Sequence, residues 1–484
     1  MMPDTPLKLD PDRLFPTEPK ARAFARELYD TVKARPIISP HGHTDPAWFA
    51  NDMPFGNATE LLLVPDHYVL RMLYSQGISL EELCVPPRGG VPEADPRRAW
   101  RLFAEHYYLF RGTPSRLWLD HVFGEVFGLT ERLDGNTADA YFDHITDALQ
   151  TKDFRPRALL DRFNVAFLAT TEGALDPLTH HDKIMADGWG DRVVTTFRPD
   201  DVLDASRPNF TQNVEQLGSI TGEDTTTWKG YLDALRNRRA FFKAHGATAT
   251  DHGHPTATTA DLSREAAETL FEKCLTGEAS TREQELFRAQ MLTEMAGMSL
   301  EDGLVMQLHP GVARSHNPQL FDRFGPDNGA DIPLVTNFVD GLKPLLDRYG
   351  NHRELTLILF TLDETTYSRE LAPLAGHYPC LRLGPPWWFH DSPEGMIRFR
   401  RQVTETAGFY NTAGFNDDTR ALLSIPARHD LARRMDCRFL AELTAEGRLD
   451  ESEAFDLISD LTTTLVTDAY RLDDTQTRAS EAAE

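Results

Sequence analysis

The sequence predicts an α/β fold, a TIM-like (β/α)₈ barrel with an inserted helical subdomain. Short apolar runs that end in polar residues alternate with segments of helical periodicity, a pattern typical of βα units around a parallel sheet. There are eight such runs, the number of strands that closes this kind of barrel. The runs are Pro36–His43, Asn164–Thr170, Val193–Arg198, Gly246–His252, Leu304–His309, Leu355–Thr361, Cys380–Gly384 and Thr412–Asp418.

The segments between and around these strands predict the domain organisation. Residues 1–35 are expected to form an N-terminal helical segment, and the barrel is expected to span residues 36–435. Helical patterns after the first and fourth strands predict insertions at about 79–155 and about 255–300. Residues 436–484 are expected to form C-terminal helices with a frayed, polar tail.

The composition excludes several classes of protein. The chain has 50 Lys and Arg against 75 Asp and Glu, and its net charge of −25 argues against binding to nucleic acid or anionic lipid. No apolar stretch approaches the roughly 20 residues of a membrane-spanning helix, and no signal-peptide pattern is visible. Four widely spaced cysteines without a CxxC pair indicate free thiols and predict a cytoplasmic location.

Two histidines at the end of the first predicted strand indicate a metal site. His41 and His43 are two residues apart, so their side chains point to the same side of the strand. Two neutral imidazoles supply half of a divalent-metal site. Asp418 ends the eighth predicted strand and is a candidate third ligand or proton acceptor. A turn or a helix cap is the alternative for its Asp-Asp-Thr segment.

Polar residues at the ends of other strands are further candidates. His309 follows the fifth strand and is predicted to be a metal ligand, a substrate contact or a histidine held within its loop. Arg198 closes the third strand, and Arg314 lies five residues beyond His309. A guanidinium at a strand end matches a carboxylate through its planar fork. For Arg198 the alternative is a salt bridge with Asp200 or Asp201.

Aromatic residues are predicted to flank the same pocket. Asp66-His67-Tyr68 opens a helical pattern, and a tyrosine beside a histidine near a metal is suited to proton transfer. A capped helix with an ordinary aromatic core contact is the alternative. Trp387 and Trp388 follow the seventh strand and are expected to form an apolar wall, a sugar-stacking surface or part of the core.

The order of these motifs resembles the amidohydrolase superfamily and, more closely, the uronate (glucuronate) isomerase family. The superfamily has an HxH motif after the first barrel strand and an aspartate after the eighth. Short segments of this chain occur in the order found in the isomerase family. They are PHGH at 40–43, DHYVLR at 66–71, TFRPD at 196–200, MQLHPGVAR at 306–314, TLDE at 361–364, GPPWWF at 384–389, DTR at 418–420 and ARH at 427–429.

The resemblance implies a reversible aldose–ketose isomerisation of hexuronates through an enediol, D-glucuronate to D-fructuronate and D-galacturonate to D-tagaturonate. It implies a divalent metal, zinc, and an assembly of identical chains. The implied metal ligands are His41, His43 and Asp418. The implied pocket residues are His67, Tyr68, Arg198 and Arg420, and His309 matches a position that binds metal in many members of the superfamily.

The chemistry of the implied reaction needs a base, a positive charge and a clamp for the substrate carboxylate. Tyr68 or Asp418 is the candidate base, although a tyrosine with a pKa near 10 needs a neighbouring cation or metal to act near pH 7. The candidate clamps are Arg198, Arg314 and Arg420. Replacement of Arg198 or Arg420 by methionine is predicted to raise KM while the fold is kept.

Two alternatives belong to other classes of function. The first is a metal-dependent hydrolase of the amidohydrolase superfamily. Two-metal members usually have a histidine after strand six and a lysine or carboxylate on strand four, whereas here Phe360–Asp363 has no histidine and Thr250–His252 has no lysine. The second is a non-catalytic binder of sugar acids, against which the intact HxH motif and the three arginines argue.

Overall fold

The computed structural model describes residues 6–472, and its strands form a seven-stranded parallel sheet and a small hairpin. The strands are β1 (Ile37–Ser39), β2 (Val165–Gly173), β3 (Val193–Arg198), β4 (Ala249–His252), β5 (Val305–Leu308), β6 (Val312–Ala313), β7 (Ile332–Pro333), β8 (Leu357–Leu359) and β9 (Leu381–Leu383). The order in the parallel sheet is β1-β2-β3-β4-β5-β8-β9, and β6 pairs with β7 in the loop after β5. The first seven predicted strands are therefore present.

Helices occupy every long connection of the described chain. The α-helices are α1 (Pro19–Val32), α2 (Pro46–Asn51), α3 (Ala58–Leu62), α4 (His67–Tyr74), α5 (Pro96–Glu105), α6 (Pro114–His121), α7 (Ala138–Leu149), α8 (Pro156–Arg162), α9 (Thr179–Ala186), α10 (Asp200–Leu203), α11 (Phe210–Thr221), α12 (Trp228–Ala244), α13 (Arg264–Thr276), α14 (Thr281–Asp302), α15 (Pro318–Phe324), α16 (Val339–Tyr349), α17 (Ala372–Ala375), α18 (Pro393–Ala407), α19 (Ile425–Ala445), α20 (Glu451–Ser459) and α21 (Leu465–Tyr470). None of the helices in residues 6–472 has the length and apolar character that crossing a membrane requires.

The eighth predicted strand, Thr412–Asp418, is not a regular strand, and this part of the prediction is wrong. The segment forms one parallel bridge to Leu383 of β9, to whose carbonyl the Ala413 N–H donates at 2.8 Å. On its other side, the His43 N–H donates to the Thr419 carbonyl at 2.9 Å. The segment thus joins the two edges of the sheet and closes the predicted α/β barrel.

A close helix contact explains why the closing segment is irregular. Gly414 has a φ of +72°, and a Cβ at this position would lie 3.0 Å from Cβ of Val466 on α21. Only glycine combines this backbone conformation with so close an approach. The local apolar pattern of the segment gives no sign of this contact, because α21 is distant in the sequence.

Apolar side chains fill the inside of the barrel, and α21 closes its lower end. The buried cluster combines inward-facing strand residues with three residues of α21; its members include Ile38, Phe167, Val194, Ala249, Val305, Ile358, Val466, Ala469 and Tyr470. Just after α21, Arg471 donates to the carbonyl of Gly303 at 2.8 Å, near the start of β5. The helix therefore lies at the end of the barrel opposite the carboxyl ends of the strands.

The long connection between β1 and β2 has a hydrophobic core of its own. Its helices bury a group of aromatic rings in edge-to-face contacts, among them Trp100, Phe103, Tyr107, Phe123 and Tyr141. The connection between β4 and β5 contains α13 and α14, and α14 begins with a capping box of Ser280 and Glu283. At the other end of the chain, α1 packs against α19 and α20. The predicted tail after Leu472 lies outside the described residues.

Candidate active site

A cavity opens at the carboxyl ends of the barrel strands, where (β/α)₈ barrels bind their substrates. Its volume is about 340 Å³, and charged and aromatic side chains make up most of its wall. The structure places every site residue predicted from the sequence on this wall. These residues are His41, His43, His67, Tyr68, Arg198, His309, Arg314, Trp387, Trp388, Asp418 and Arg420.

His41 and His43 face one carboxylate. His41 Nε2 lies 3.5 Å, and His43 Nε2 3.1 Å, from Oδ1 of Asp418. Burial lowers the pKa of His41 to about 4, which keeps this imidazole neutral, the form that binds metals. Burial alone would raise the pKa of Asp418, but the surrounding imidazoles hold it below its usual value. The cluster therefore combines neutral nitrogen donors with an ionised carboxylate.

The backbone around Asp418 is fixed in an uncommon conformation. Asp418 has a φ of +38°, in the left-handed region that few residues other than glycine adopt. The neighbouring Asp417 is buried and accepts a hydrogen bond from His429 Nε2 at 3.0 Å. Gly42 lies against this turn, because a Cβ there would be 3.3 Å from the Thr419 carbonyl oxygen. The end of β1 and the closing segment are thus packed so that His41, His43 and Asp418 converge.

His309 joins the same cluster from the end of β5. Its Nδ1 lies 2.7 Å from Oδ1 of Asp251, and its Nε2 lies 3.9 Å from Oδ2 of Asp418. The imidazole rings of His41 and His309 stack with their centroids 4.9 Å apart. Asp251, the penultimate residue of β4, is buried and has a pKa well below its usual value, because Arg198 and His309 outweigh the effect of burial.

The donor set of this cluster fits a divalent metal ion. Candidate ligand atoms lie within 4.8 Å of one another in two groups, His41–His43–Asp418 and His41–Asp251–His309. Two buried atoms of this cluster, Asp418 Oδ1 and His309 Nε2, make no hydrogen bond to any of the described residues. Unpaired buried polar atoms are costly, and imidazole and carboxylate are common zinc ligands. A cation among these residues would give both atoms a partner.

Arg198 is held between two buried carboxylates. Its Nε donates to Asp200 Oδ2 at 2.9 Å, and its Nη1 lies 3.0 Å from Asp251 Oδ2. Burial acts against the charged guanidinium, but Asp251 and Asp200 raise the pKa of Arg198 above its usual value. Gly253 makes room for this arrangement, since a Cβ there would lie 2.0 Å from Nη2 of Arg198. The salt bridge with Asp200 that the sequence offered as an alternative is present.

Another part of the wall is formed by the first turn of α4. Asp66 caps this helix by accepting the N–H groups of Tyr68 and Val69 at 2.9 and 3.1 Å, as its sequence position predicts. Burial lowers the pKa of His67 to about 3 and raises the pKa of Tyr68 above its usual value. Both side chains are therefore neutral near pH 7. The His67 ring packs against Trp388 with a centroid distance of 5.6 Å.

Two arginines at the mouth of the cavity have weaker partners than Arg198. Arg420 Nη2 lies 3.2 Å from Oδ2 of Asp327, whose side chain is 36 % exposed. Arg314 makes one long contact of 3.4 Å with Asp331, and its guanidinium lies over the ring of Trp388 at 5.3 Å. Both arginines can therefore exchange a partner for an incoming anion at lower cost than Arg198.

Several charged residues of the cavity were not predicted from the sequence, among them Asp251, Asp327 and Arg428. Asp251 follows an apolar run, so its position at a strand end was a usable signal. Asp327 lies in the loop before β7, and Arg428 lies on α19, where it pairs with Asp391 and stacks on Trp118 at 3.7 Å. No local pattern shows that these two elements reach the cavity.

The chain is similar to known proteins over nearly its whole length. Residues 20–468 match the family model described as glucuronate isomerase. The chain is 64 % identical over 467 residues to a uronate isomerase of Xanthomonas euvesicatoria, which covers 96 % of this chain and 99 % of that protein. A uronate isomerase of Rhizorhabdus wittichii is 63 % identical over 97 % of this chain and 100 % of its own length.

Solved structures show the same similarity. A glucuronate isomerase from Caulobacter crescentus superposes with a TM-score of 0.96 at 62 % identity, over 97 % of this chain and 98 % of that one. A uronate isomerase from Thermotoga maritima superposes with a TM-score of 0.89 at 27 % identity, over 96 % and 99 % of the two chains.

Proposed function

The chain belongs to the glucuronate isomerase family, and we propose that it interconverts the aldose and ketose forms of hexuronates. The reactions are D-glucuronate to D-fructuronate and D-galacturonate to D-tagaturonate, both reversible. The observation that carries the proposal is one cavity in which the cluster of His41, His43 and Asp418 faces neutral His67 and Tyr68. Such a site offers a metal position, a carboxylate and proton donors to one small molecule.

The proposed metal is zinc, held by His41, His43 and Asp418, with His309 and Asp251 completing the donor set. When bound, the metal supplies positive charge that polarises a carbonyl and stabilises negative charge on oxygen. Asp251 accepts a hydrogen bond from His309 Nδ1, so His309 Nε2 is the nitrogen that is free to bind a metal in the cluster.

Proton transfer is assigned to Asp418 and Tyr68 from their ionisation states. Asp418 has a lowered pKa and is the anion in the cluster, so its carboxylate takes the proton from C2 as the C1–C2 double bond of the enediol forms. Tyr68 has a raised pKa and is a neutral donor, so it protonates O1 and recovers a proton from the O2 hydroxyl. Return of the proton from Asp418 to C1 gives the ketose. Neutral His67 is placed to donate a hydrogen bond to a substrate oxygen.

The substrate carboxylate is assigned to Arg314 and Arg420. Arg198 already neutralises two buried carboxylates. By contrast, Arg420 makes a single contact with the partly exposed Asp327, and Arg314 makes one long contact of 3.4 Å with Asp331. Trp388 packs against both His67 and Arg314 and forms the apolar wall between the two ends of the cavity. Trp387 contacts the His309 ring at a centroid distance of 4.7 Å and fixes its orientation.

Other expectations from the sequence remain proposals. We place the enzyme in the cytoplasm, in keeping with its four free, buried cysteines. We propose the predicted division into an N-terminal segment, a barrel with two helical insertions and C-terminal helices, and an assembly of identical chains.

The test is incubation of purified, zinc-loaded enzyme with D-glucuronate and with D-galacturonate in D₂O, followed by proton NMR. Ketose with deuterium at C1 is expected, because a proton on Asp418 can exchange with solvent. Asp418→Asn should abolish ketose formation. Asp363→Asn is the matched control, since Asp363 also follows a barrel strand but does not line the cavity. No ketose from either sugar would refute the proposal and favour the hydrolase or binder.

A further inference from the structure

A chain of buried hydrogen bonds connects the lower end of the barrel to the proposed metal site. Asn416 Nδ2 donates to the hydroxyl oxygen of Tyr470 at 2.9 Å, and the Tyr470 hydroxyl donates to Oε1 of Gln307 at 2.8 Å. Gln307 Nε2 in turn lies 3.4 Å from Nδ1 of His41. All four side chains are buried, and Tyr470 and Gln307 are completely so.

The two ends of this chain are both tied to proposed metal ligands. His41 is one ligand itself, and its Nε2 is the nitrogen that faces Asp418. Asn416 lies two residues before Asp418, in the irregular segment that closes the barrel. Tyr470 stands between these ends on α21, so one hydroxyl group connects a helix at the lower end of the barrel to both sides of the metal site.

The direction of these hydrogen bonds decides which nitrogen of His41 carries the proton. A neutral imidazole that binds a metal through Nε2 must carry its proton on Nδ1 and donate it there. Gln307 must then turn its amide oxygen toward His41 and its Nε2 toward Tyr470, and the Tyr470 hydroxyl must donate to the amide oxygen of Asn416. Turning an amide by 180° exchanges nitrogen and oxygen without moving the chain, so both directions fit the same side-chain positions.

The carbonyl of Thr250 favours the direction without metal. It accepts from Gln307 Nε2 at 3.4 Å, and this contact is lost when the amide turns. The hydroxyl of Tyr470 can both donate and accept, so it pairs with Gln307 and Asn416 in either direction. Phenylalanine in place of Tyr470 would leave the side-chain amides of Gln307 and Asn416 with one unpaired polar group each. Gln307 Nε2 would then continue to donate to the Thr250 carbonyl and His41 Nδ1.

We propose that Tyr470 and Gln307 are positioning residues for the metal site, and that metal binding reverses the hydrogen bonds from His41 to Asn416. The inference rests on the metal site of the proposed function. It predicts that removal of the Tyr470 hydroxyl weakens zinc binding although this group contacts no ligand atom. Loss of a hydrogen-bond partner behind a metal ligand typically costs about 10- to 100-fold in affinity.

The test is a zinc titration of metal-free protein in competition with a chromophoric chelator. Tyr470→Phe should bind zinc about 10- to 100-fold more weakly than the unaltered protein. Gln307→Glu should bind at least as tightly, because a carboxylate offers His41 Nδ1 only an acceptor. Tyr231→Phe is the matched control: Tyr231 is equally buried and donates one hydrogen bond, at 2.7 Å, to the Val202 carbonyl away from the site.

The outcomes separate this inference from the proposed function. No zinc binding by the unaltered protein would overturn the metal site and the network together. Zinc binding by the unaltered protein, with Tyr470→Phe within twofold of it, would overturn the network alone. The melting temperature of Tyr470→Phe, compared with that of Tyr231→Phe, shows whether the variant folds. If it does not fold, the Gln307→Glu variant decides the outcome. Zinc binding by Gln307→Glu that is weaker than that of the unaltered protein would then overturn the inference.

Discussion

Replacement of Arg198 by methionine, which the sequence alone predicted to keep the fold, should destabilise the protein far more than the same change at Arg420. Arg198 lies between Asp200 and Asp251, whose side chains are 4 % and 1 % exposed. Removal of one partner from a buried ion pair costs about 3–5 kcal/mol, because the remaining charge is left without compensation. Asp327, the partner of Arg420, is 36 % exposed, and loss of such a pair costs at most about 1 kcal/mol.

The assay is urea unfolding followed by circular dichroism for the unaltered protein and both variants. A loss of about 3–5 kcal/mol is a large part of a total stability of about 5–15 kcal/mol, so the Arg198→Met midpoint should fall clearly. Arg198→Lys should recover only part of the loss, because an ammonium group cannot reproduce the planar fork. If Arg198→Met unfolds at the same urea concentration as Arg420→Met, the two carboxylates are not compensated by Arg198 and the reasoning fails.

Three further predictions concern the substrate, the pH and the metal. Arg420→Met should raise KM for hexuronates at least tenfold with little change in the unfolding midpoint; an unchanged KM in steady-state assays would remove Arg420 from the carboxylate site. Burial raises the pKa of Glu172 to about 8, whereas the unfolded chain releases this proton near pH 4.5. Between these two pH values the folded state binds more protons than the unfolded state, so the stability of the protein should fall as the pH rises. Between pH 5 and pH 8, the melting temperature of Glu172→Gln should fall less than that of the unaltered protein. An equal fall in both proteins would contradict the raised pKa of Glu172. Chelation of the metal should lower the melting temperature by several degrees, and zinc should restore it. A ligand at 100 times its Kd adds about 2.7 kcal/mol to the free energy of unfolding. A melting temperature that does not respond to zinc would count against the metal site.

The repeating barrel units could be predicted because their signals are local. The third strand has the predicted bounds, Val193–Arg198, since a run of β-branched and aromatic residues ends there at a charged one. The histidines at the strand ends were found for the same reason: His309 directly follows an apolar run, and His41 and His43 come shortly after one. Residues at the carboxyl ends of parallel strands converge without any knowledge of the rest of the fold.

The parts that escaped prediction depend on contacts between distant segments. The closing segment looks like a strand until Gly414 is seen against Val466, some fifty residues later in the chain. Asp327 reaches Arg420 from a loop whose path no periodicity describes. From the sequence, the role of Arg198 stayed open between a substrate contact and a salt bridge. Its second carboxylate partner, Asp251, lies on a different strand.

The position of α21 has a consequence for the order in which the protein can mature. Residues 465–470 follow every barrel strand in the chain, yet they supply the lower end of the barrel and the hydroxyl group behind His41. During synthesis, the strands and the ligand histidines leave the ribosome before this helix exists. Zinc acquired at that stage would meet an open barrel and an unsupported ligand. Tight metal capture should therefore follow the docking of residues 465–470, and fragments that end before residue 465 should be poor zinc binders.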